Sequence, residues 1–357
     1  WTERAFIGLM ETSDPASNIW EDKGFVVCSA SDKGKTDYGR SSINDWEGYF
    51  KINAIDPTYI ITENGEHWLI YGSWHSGIAA LQVNPEDGKP LNALGNPWDI
   101  TGEDNSGYGK IIATRGTSRW QASEGPEVIY RDGYYYLFLA YGSLSVEYNT
   151  RVCRSKNIDG PYVDIHGNSA MGSAQLYPIL TAPYRFDNSY GWVGISHCGI
   201  FDDGAGNWFY TSQGRFPVNV GGNEYSNAIM MGHVRSIRWD ANGWPLVMPE
   251  RYGAVPQAPI TENEIAGDWE HLALTTSTGT QRTSETMTYD LGTHKITSGS
   301  WKNATWTFDA ATQTITTSAG VVLYLQREVD WEASPRTHTI VYAAQGNQKT
   351  YWGKKLQ

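Results

Sequence analysis

The sequence predicts an all-β fold, a β-propeller followed by a small antiparallel β-barrel or sandwich. Three segments support this prediction, because each begins at a polar residue and continues into a strand-turn-strand pattern with a Gly-centred turn. They begin at Asp56, Glu124 and His197, and 68 and then 73 residues separate these starting points. A repeat of this length, built from short strands, is typical of successive propeller blades. We therefore expect the three side chains to face one central axis.

The composition favours sheets and excludes several kinds of partner. The 357 residues include 16 Trp and 22 Tyr, while only 18% are charged. The net charge of −12 argues against nucleic acid or an anionic membrane as a partner. A neutral polysaccharide remains open, because Trp and Tyr faces stack on sugars. No run of 18 apolar residues predicts a membrane span. Cys28, Cys153 and Cys198 are interpreted as buried small hydrophobic residues and leave the compartment undecided.

The blades can be placed in order along the chain. Residues 5–27 have the pattern of the closing strands of a blade whose first strands are absent. Complete blades are predicted over 50–118, 119–190 and 191–253. Propellers need roughly four to eight blades, so three blades and a fragment cannot close a ring. Residues 1–255 are therefore interpreted as the C-terminal portion of a propeller.

A second domain follows a Pro-rich linker at 256–262. Residues 263–357 are predicted to form an accessory β-barrel, because the sequence changes there to short Thr- and Ser-rich segments in which polar and apolar residues alternate. These strands are expected at 284–289, 305–308, 314–317, 321–325 and 337–343. Trp301, Trp306 and Trp352 either bind carbohydrate or fill the barrel core, and the core interpretation is favoured.

Glycoside hydrolysis requires at least two carboxylates on opposite sides of a sugar-sized pocket. Glu124 lies before a Gly-Pro turn into an apolar strand, and such a partly buried place suits a general acid. The Asp56 carboxylate would orient the Glu124 side chain. His197 is either a metal or water ligand or a core histidine, and the residues alone narrowly favour the core. Trp74, followed by His75, either stacks on a sugar or packs between blades.

Several motifs together resemble family 43 glycoside hydrolases, and within them the arabinanases with an extra C-terminal β domain. They are Ala54-Ile55-Asp56-Pro57, the stretch from Trp68 to Ile78, Glu124-Gly125-Pro126, His233-Val234-Arg235 and Gly243-Trp244-Pro245. The resemblance covers about residues 5–253. It implies a five-bladed propeller, of which this chain carries the tail of blade 2 and blades 3–5, and which hydrolyses α-1,5-linked arabinan with inversion.

The resemblance also implies individual roles. Glu124 matches the general acid, and Asp56 matches the aspartate that tunes the pKa of that acid and orients it. Trp74 and His75 are predicted to bind substrate, and Arg215 falls where the family places a substrate-side arginine. His197 matches a histidine that helps to hold an axial Ca²⁺ through water.

One expected residue has no counterpart. The family's general base is an Asp on the first blade, whereas Asp14 belongs to a closing turn away from the axis. We expect an N-terminal fragment of the same protein, on the order of 100 residues by the blade period, to supply the base and the missing strands.

Alternatives remain open. An exo-acting arabinanase, an arabinofuranosidase or a β-xylosidase would use the same scaffold, and a propeller without a base would only bind sugar. A polymer cannot enter a cell, so an extracellular or periplasmic location is expected.

Overall fold

The computed structural model describes residues 5–29, 52–75, 77–92, 94, 106–116, 123–172, 175–187 and 189–357. The regular secondary structure of the described chain consists almost entirely of β-strands, as predicted. It divides into two compact units, the first formed by Trp1–Ala140 with Val152–Leu176 and the second by Tyr141–Arg151 with Tyr177–Gln357. Parts of the predicted blade 50–118, including residues 95–105, lie outside the described residues. Among the residues that are described, no helix combines the length and apolar character needed to cross a membrane.

The first unit opens with an antiparallel ribbon of β1 (Phe6–Glu11) and β2 (Glu21–Cys28). The turn between them contains a short 3₁₀ segment, Pro15–Ser17, whose preceding Asp14 side chain accepts the Ala16 N–H at 3.1 Å. Asp14 therefore caps a turn, which is the place that the sequence predicts for it.

The first complete sheet follows in chain order. It consists of β3 (Thr58–Ile61), β4 (His67–Tyr71), β5 (Ile78–Val83) and β6 (Lys110–Ala113), all antiparallel. Tyr71, Ala79 and Leu81 of this sheet pack with Ile7 and Val27 of the ribbon in one buried cluster. Burial of this apolar surface is what drives these short strands together.

The second sheet contains β7 (Ser123–Arg131), β8 (Tyr134–Tyr141) and β9 (Asn149–Ser155), which lie mainly in the first unit. Residues 135–141 of β8 are all buried, which explains its continuous aromatic and aliphatic sequence. In the second unit, β10 (Ile179–Thr181) pairs with the start of β9, with Ile179 opposite Arg151.

The third complete sheet belongs to the second unit. After the short β11 (Tyr184–Arg185), it is built from β12 (Gly199–Asp202), β13 (Trp208–Arg215), β14 (Met230–Trp239) and β15 (Pro245–Val247) in chain order. The described chain thus contains three four-stranded antiparallel sheets in the three segments where the sequence predicts blades.

The C-terminal segment begins with α1 (Glu262–Ile265), which carries a capping box between Thr261 and Glu264. The strands that follow are β16 (Gly267–Leu274), β17 (Arg282–Thr283), β18 (Glu285–Asp290), β19 (Lys295–Ile296), β20 (Trp306–Asp309), β21 (Thr314–Thr317), β22 (Val322–Asp330), β23 (Thr337–Gly346) and β24 (Lys349–Lys355). β17 pairs in parallel with β11. All five predicted strands are present, whereas β16 and β24 had no predicted counterpart.

Eight of these strands form one sheet in the order β19-β18-β16-β24-β23-β22-β21-β20. A bridge between Lys295 and Thr305 joins the two ends of that order, so the sheet closes into a barrel. Trp306 and Trp352 are 1% and 0% exposed in the core clusters. The prediction of a place in the barrel core is confirmed for Trp306, and Trp301 packs against the same core. It is wrong for Trp352, which is buried in a different cluster, with Tyr184, Leu246 and Met248. The prediction that the three cysteines are buried is also confirmed.

Candidate active site

A left-handed backbone residue recurs at the predicted repeat. Asp56, Gly125 and His197 have φ values of 54°, 56° and 57°. By backbone conformation, the repeated position in the second sheet is therefore Gly125 rather than Glu124. This one-residue offset has a steric reason, since glycine adopts positive φ without the penalty that a side chain imposes. Glu124 consequently stands immediately before the left-handed residue, whereas Asp56 and His197 occupy it.

Glu124 is half-buried on β7, and one of its carboxylate oxygens is held by two donors. Its Oε2 accepts a hydrogen bond from Ser73 Oγ at 3.0 Å and another from Trp74 Nε1 at 2.8 Å. Both donors come from the connection between β4 and β5. A carboxylate restrained by two donors has a defined orientation, which is a requirement of a proton donor in catalysis.

Asp56 reaches the same place from the residue before β3. Its Oδ2 accepts the backbone N–H of Gly125 at 3.2 Å, so it contacts the residue that follows Glu124. Like Glu124, it is half-buried. The two carboxylates that the sequence predicts to converge are thus brought together in the first unit, although 68 residues separate them.

Backbone contacts fix the connection that carries the two donors. The N–H of Gly72 donates to Ile55 O at 3.0 Å, and the N–H of Trp74 donates to Ser123 O at 2.9 Å. Trp74 and His75 have φ values of 55° and 26°, an unfavourable conformation for residues with side chains. Strain of this kind clusters at functional sites. His75 is only 5% exposed, which leaves it little surface for a ligand.

His197 lies in the second unit, before β12, and its side chain is exposed. The interpretation as a core histidine is therefore wrong. Its Nδ1 lies 3.2 Å from the hydroxyl of Tyr148, which is buried. The preceding residue is anchored, because Ser196 Oγ is 2.8 Å from Thr150 Oγ1 inside the unit.

Arg215, at the end of β13, is half-buried and bound to the loop that follows it. Its Nη1 donates to Asn227 O at 2.9 Å, and its Nη2 donates to Met230 Sδ at 3.0 Å. A thioether is a weak acceptor, so the guanidinium retains donor capacity for a stronger one. Its role in substrate binding stays a prediction.

Two family models divide the chain between them. The model of glycosyl hydrolases family 43 matches residues 11–245, and that of a C-terminal lipocalin-like domain matches residues 249–353. The first match covers well over half of the chain and includes Asp56, Glu124, His197 and Arg215. This chain belongs to glycoside hydrolase family 43.

The curated relatives of this family 43 chain include extracellular endo-α-(1→5)-L-arabinanases. The chain is 30% identical over 240 residues to extracellular endo-α-(1→5)-L-arabinanase 2 of Bacillus subtilis, which corresponds to 61% of this chain and 46% of that protein. It is 31% identical over 239 residues to the Thermotoga petrophila enzyme of the same name, covering 62% and 46%. The chain therefore spans somewhat less than half the length of these relatives.

Solved structures extend the similarity into the C-terminal segment. An endo-1,5-α-L-arabinanase from Thermotoga petrophila superposes with a TM-score of 0.77 at 25% identity, covering 98% of this chain and 77% of that one. The family 43 YxiA protein of Bacillus licheniformis gives the same TM-score and coverage at 24% identity and shows the fold alone.

The side chains at His197 can be compared with the ligands that calcium requires. Ca²⁺ takes six to eight oxygen ligands, and carboxylates usually supply several of them. In the second unit, the described neighbour of the imidazole is a neutral hydroxyl, that of Tyr148. Within the described ranges, the group of three ligating side chains that could hold a metal is Glu250, Asp330 and Glu332, and it excludes His197. The imidazole of His197 and the hydroxyl of Tyr148 can both form hydrogen bonds to the water ligands of a calcium ion.

Two polar contacts of the site were missed by sequence reasoning. No sequence motif singles out Ser73, which is the residue between Gly72 and Trp74. Tyr148 has no local motif, and only the folded chain brings it to His197. The expectation that the general base lies outside this chain stays a prediction.

Proposed function

We propose that this chain is part of an arabinanase that hydrolyses α-1,5-L-arabinofuranosidic linkages in arabinan with inversion. The supporting observation is the restrained Glu124 carboxyl, whose Oε2 is held by Ser73 and Trp74. The Asp56 carboxylate lies against Gly125, beside that acid. Family membership and the relatives' activity support the same assignment.

In this mechanism Glu124 is the general acid. Because Oε2 accepts two hydrogen bonds, the proton to be transferred is carried on Oε1, which passes it to the departing glycosidic oxygen. Asp56 is a positioning residue, since it holds the backbone at Gly125 and adds a negative charge near the acid. The water is activated by a base that we expect on residues outside this chain, on the opposite face of the sugar.

The decisive experiment is Glu124→Gln in the intact protein, assayed on debranched arabinan. Loss of the acid should lower kcat by about a thousandfold, within the range that general acid catalysis contributes. The exposed Glu66→Gln is the matched control and should leave kcat unchanged. A Glu124→Gln protein with near-normal kcat and an unchanged melting temperature would remove the assignment.

The products of the same assay separate the candidate modes of action. A ladder of oligomers means endo action, and a single short product means exo action. Exo action is represented among the relatives by an exo-α-(1→5)-L-arabinofuranosidase of Cellvibrio japonicus, 26% identical over 249 residues. Xylo-oligosaccharide substrates test the β-xylosidase alternative. Binding of arabinan without turnover would favour the sugar-binding alternative.

We also propose that the protein works outside the cytoplasm and that His197 helps to hold Ca²⁺ through water. The named relatives are extracellular, and a polymeric substrate supports the same location. Calcium titration followed by calorimetry tests the metal proposal, with His197→Ala expected to weaken binding. Equal calcium affinity in the variant would refute the role of His197.

A further inference from the structure

A cavity lined only by residues of the second unit has the chemistry of an anion-binding site. It encloses about 380 Å³, within the usual range for small-molecule sites. Its lining includes Tyr190, Trp192, Arg251, Trp331 and Arg336. Glu124 and Asp56 belong to the first unit, so this cavity is not built from the proposed catalytic carboxylates.

Trp331 holds the two arginine side chains in place. The guanidinium carbons of Arg251 and Arg336 lie 4.8 and 4.7 Å from the centre of the Trp331 ring. Arg251 is also 5.1 Å from the ring of Trp192. The Trp331 indole is itself fixed, because its Nε1 donates to the backbone oxygen of Arg251 at 2.7 Å. Cation–π contacts use the face of a guanidinium and leave its N–H groups at the edge.

Those N–H groups have no acceptor in the described part of the chain. Neither guanidinium forms a hydrogen bond or an ion pair with a described residue. The carboxylate at the cavity, Glu332, is engaged elsewhere, since one of its oxygens lies 2.7 Å from Lys354 Nζ. The nearby Glu332 charge acts on Arg251 but does not occupy its N–H groups. Each guanidinium offers five donors, so the cavity presents two cations whose donors are available to a ligand.

The aromatic rings favour a charged ligand over a neutral sugar. Trp192 is 5% exposed and stacked on Phe216 at 4.7 Å, so its face is not free. Trp331 already contacts two guanidiniums. Tyr190, which is 60% exposed, offers the accessible ring at the rim. A ligand must therefore supply acceptors for the arginines and a ring small enough for one aromatic side chain.

We propose that this cavity binds a sugar carboxylate, that is, a uronate residue of an acidic polysaccharide. Its carboxylate would accept paired hydrogen bonds from Arg251 and Arg336, because the guanidinium fork matches the spacing of carboxylate oxygens. Its ring would lie towards Tyr190. Such a site would hold the protein on acidic polysaccharide while the hydrolytic pocket stays free. The proposal does not depend on the arabinanase activity.

The test compares two sugars that differ only at C6, galacturonate and galactose, by calorimetry or ligand-observed NMR with the full chain at low salt. Galacturonate should bind at least about tenfold more tightly, as expected for a hydrogen-bonded charge pair, and raising the salt should weaken it. Equal affinity for the two sugars would overturn the proposal. Equal affinity for acetate and galacturonate would also overturn it, because the site would then read the anion and not the sugar.

Two variants locate the binding. Arg336→Gln should weaken galacturonate binding about tenfold, and Arg251→Lys, which keeps the charge but loses the fork, should weaken it as well. Lys302→Gln removes one positive charge from an exposed position of the barrel that does not line the cavity, and it should have no effect. Melting temperatures report on folding. If Arg251→Lys fails to fold, the galacturonate affinity of Arg336→Gln tests the site alone. An unchanged galacturonate affinity in that variant would refute the site.

Discussion

At the scale of single residues, the hydrogen bond from Trp74 to Glu124 links a strained turn to the proposed acid. Trp74→Phe keeps an aromatic ring there but removes the Nε1 donor that now lies 2.8 Å from Oε2. We predict that kcat on arabinan falls about tenfold with KM nearly unchanged, because a hydrogen bond to a charged group contributes about 1.5 kcal/mol.

Trp68→Phe is the matched control for that prediction. The Nε1 of Trp68 is buried without a hydrogen-bond partner among the described residues, so its loss should not change kcat. Equal kcat values for Trp74→Phe and the unmodified protein would show that this donor does not position the acid.

A second residue-scale prediction concerns His233 in β14. Burial lowers the pKa of His233 to about 2, with help from the charges of Arg235 and Arg251. The unfolded chain takes up a proton below about pH 6.5, whereas the folded chain does not. The contribution of His233 to stability is therefore lost progressively as the pH falls from about 6.5 towards 2, by about 1.4 kcal/mol per pH unit.

His233→Asn removes this proton linkage, so the free energy of unfolding should decline less steeply between pH 6.5 and 5 than it does in the unmodified protein. Chemical denaturation at several pH values across that range measures the slope for each protein. The difference between the two slopes does not depend on how much the substitution itself changes the free energy of unfolding. Identical slopes would mean that folding does not lower the pKa of His233.

At the scale of elements, the barrel depends on a glycine under an aromatic ring. Gly353 of β24 stands opposite Tyr342 of β23, and a Cβ at Gly353 would lie 2.1 Å from the Tyr342 ring. Tyr342 is 0% exposed and cannot move aside. We predict that Gly353→Ala lowers the free energy of unfolding by about 3 kcal/mol, the upper end of the usual cost of overpacking.

The control is Gly232→Ala in β14, another strand glycine, where a Cβ would meet nothing within 4 Å. Chemical denaturation of both variants gives the comparison. A Gly353→Ala protein as stable as Gly232→Ala would mean that the barrel accommodates the added carbon.

Elements also show where sequence reasoning succeeded and where it stopped. An alternating strand such as β18 was predicted correctly, because Met287 and Tyr289 are buried while the polar residues between and around them are more exposed. β16 and β24 were missed because buried polar residues interrupt that alternation. Glu270, His271 and Lys354 are 4%, 2% and 1% exposed. Their partners come from other strands, and a local pattern does not contain that information.

At the scale of the whole molecule, the largest buried charge network surrounds Lys354. Its Nζ lies 2.7 Å from Glu332, 2.9 Å from Asp330, 3.2 Å from Glu250 and 3.6 Å from Glu270. Burial raises the pKa of Glu250. Burial alone would raise that of Glu332 too, but its hydrogen bond to Glu250 and the Lys354 ammonium hold it below the usual value. The ammonium thus occupies the place that a metal would take among these carboxylates.

We predict that Lys354→Met lowers the free energy of unfolding at pH 7 by about 3–5 kcal/mol, because it leaves buried carboxylates without a cation. Without that cation the folded carboxylates have raised pKa values, so the variant should regain stability as the pH falls through them. Urea denaturation at pH 7 and pH 5 measures both effects. The control is Lys302→Met at an exposed position, which changes the net charge equally and should leave the free energy of unfolding unchanged. A Lys354→Met protein as stable as this control would contradict the prediction.

The convergence of the catalytic residues was predictable because it follows from a repeat. Asp56 and Glu124 fall within one residue of the same repeated position, because the left-handed residues of the two segments are Asp56 and Gly125. The contact between Tyr148 and His197 follows from no repeat, so only the folded structure reveals it. The arginine pair at Trp331 likewise joins the end of one sheet to a turn of the barrel.

The position of β24 has a consequence for biosynthesis. It is the last of the barrel strands to leave the ribosome, yet it lies between β16 and β23 in the sheet. Until it emerges, the barrel is an open sheet in which β16 and β23 have unpaired edges, each a template for association with other chains. Chaperones are therefore expected to cover these edges until β24 is synthesised, and a chain cut short before Lys349 would keep them permanently.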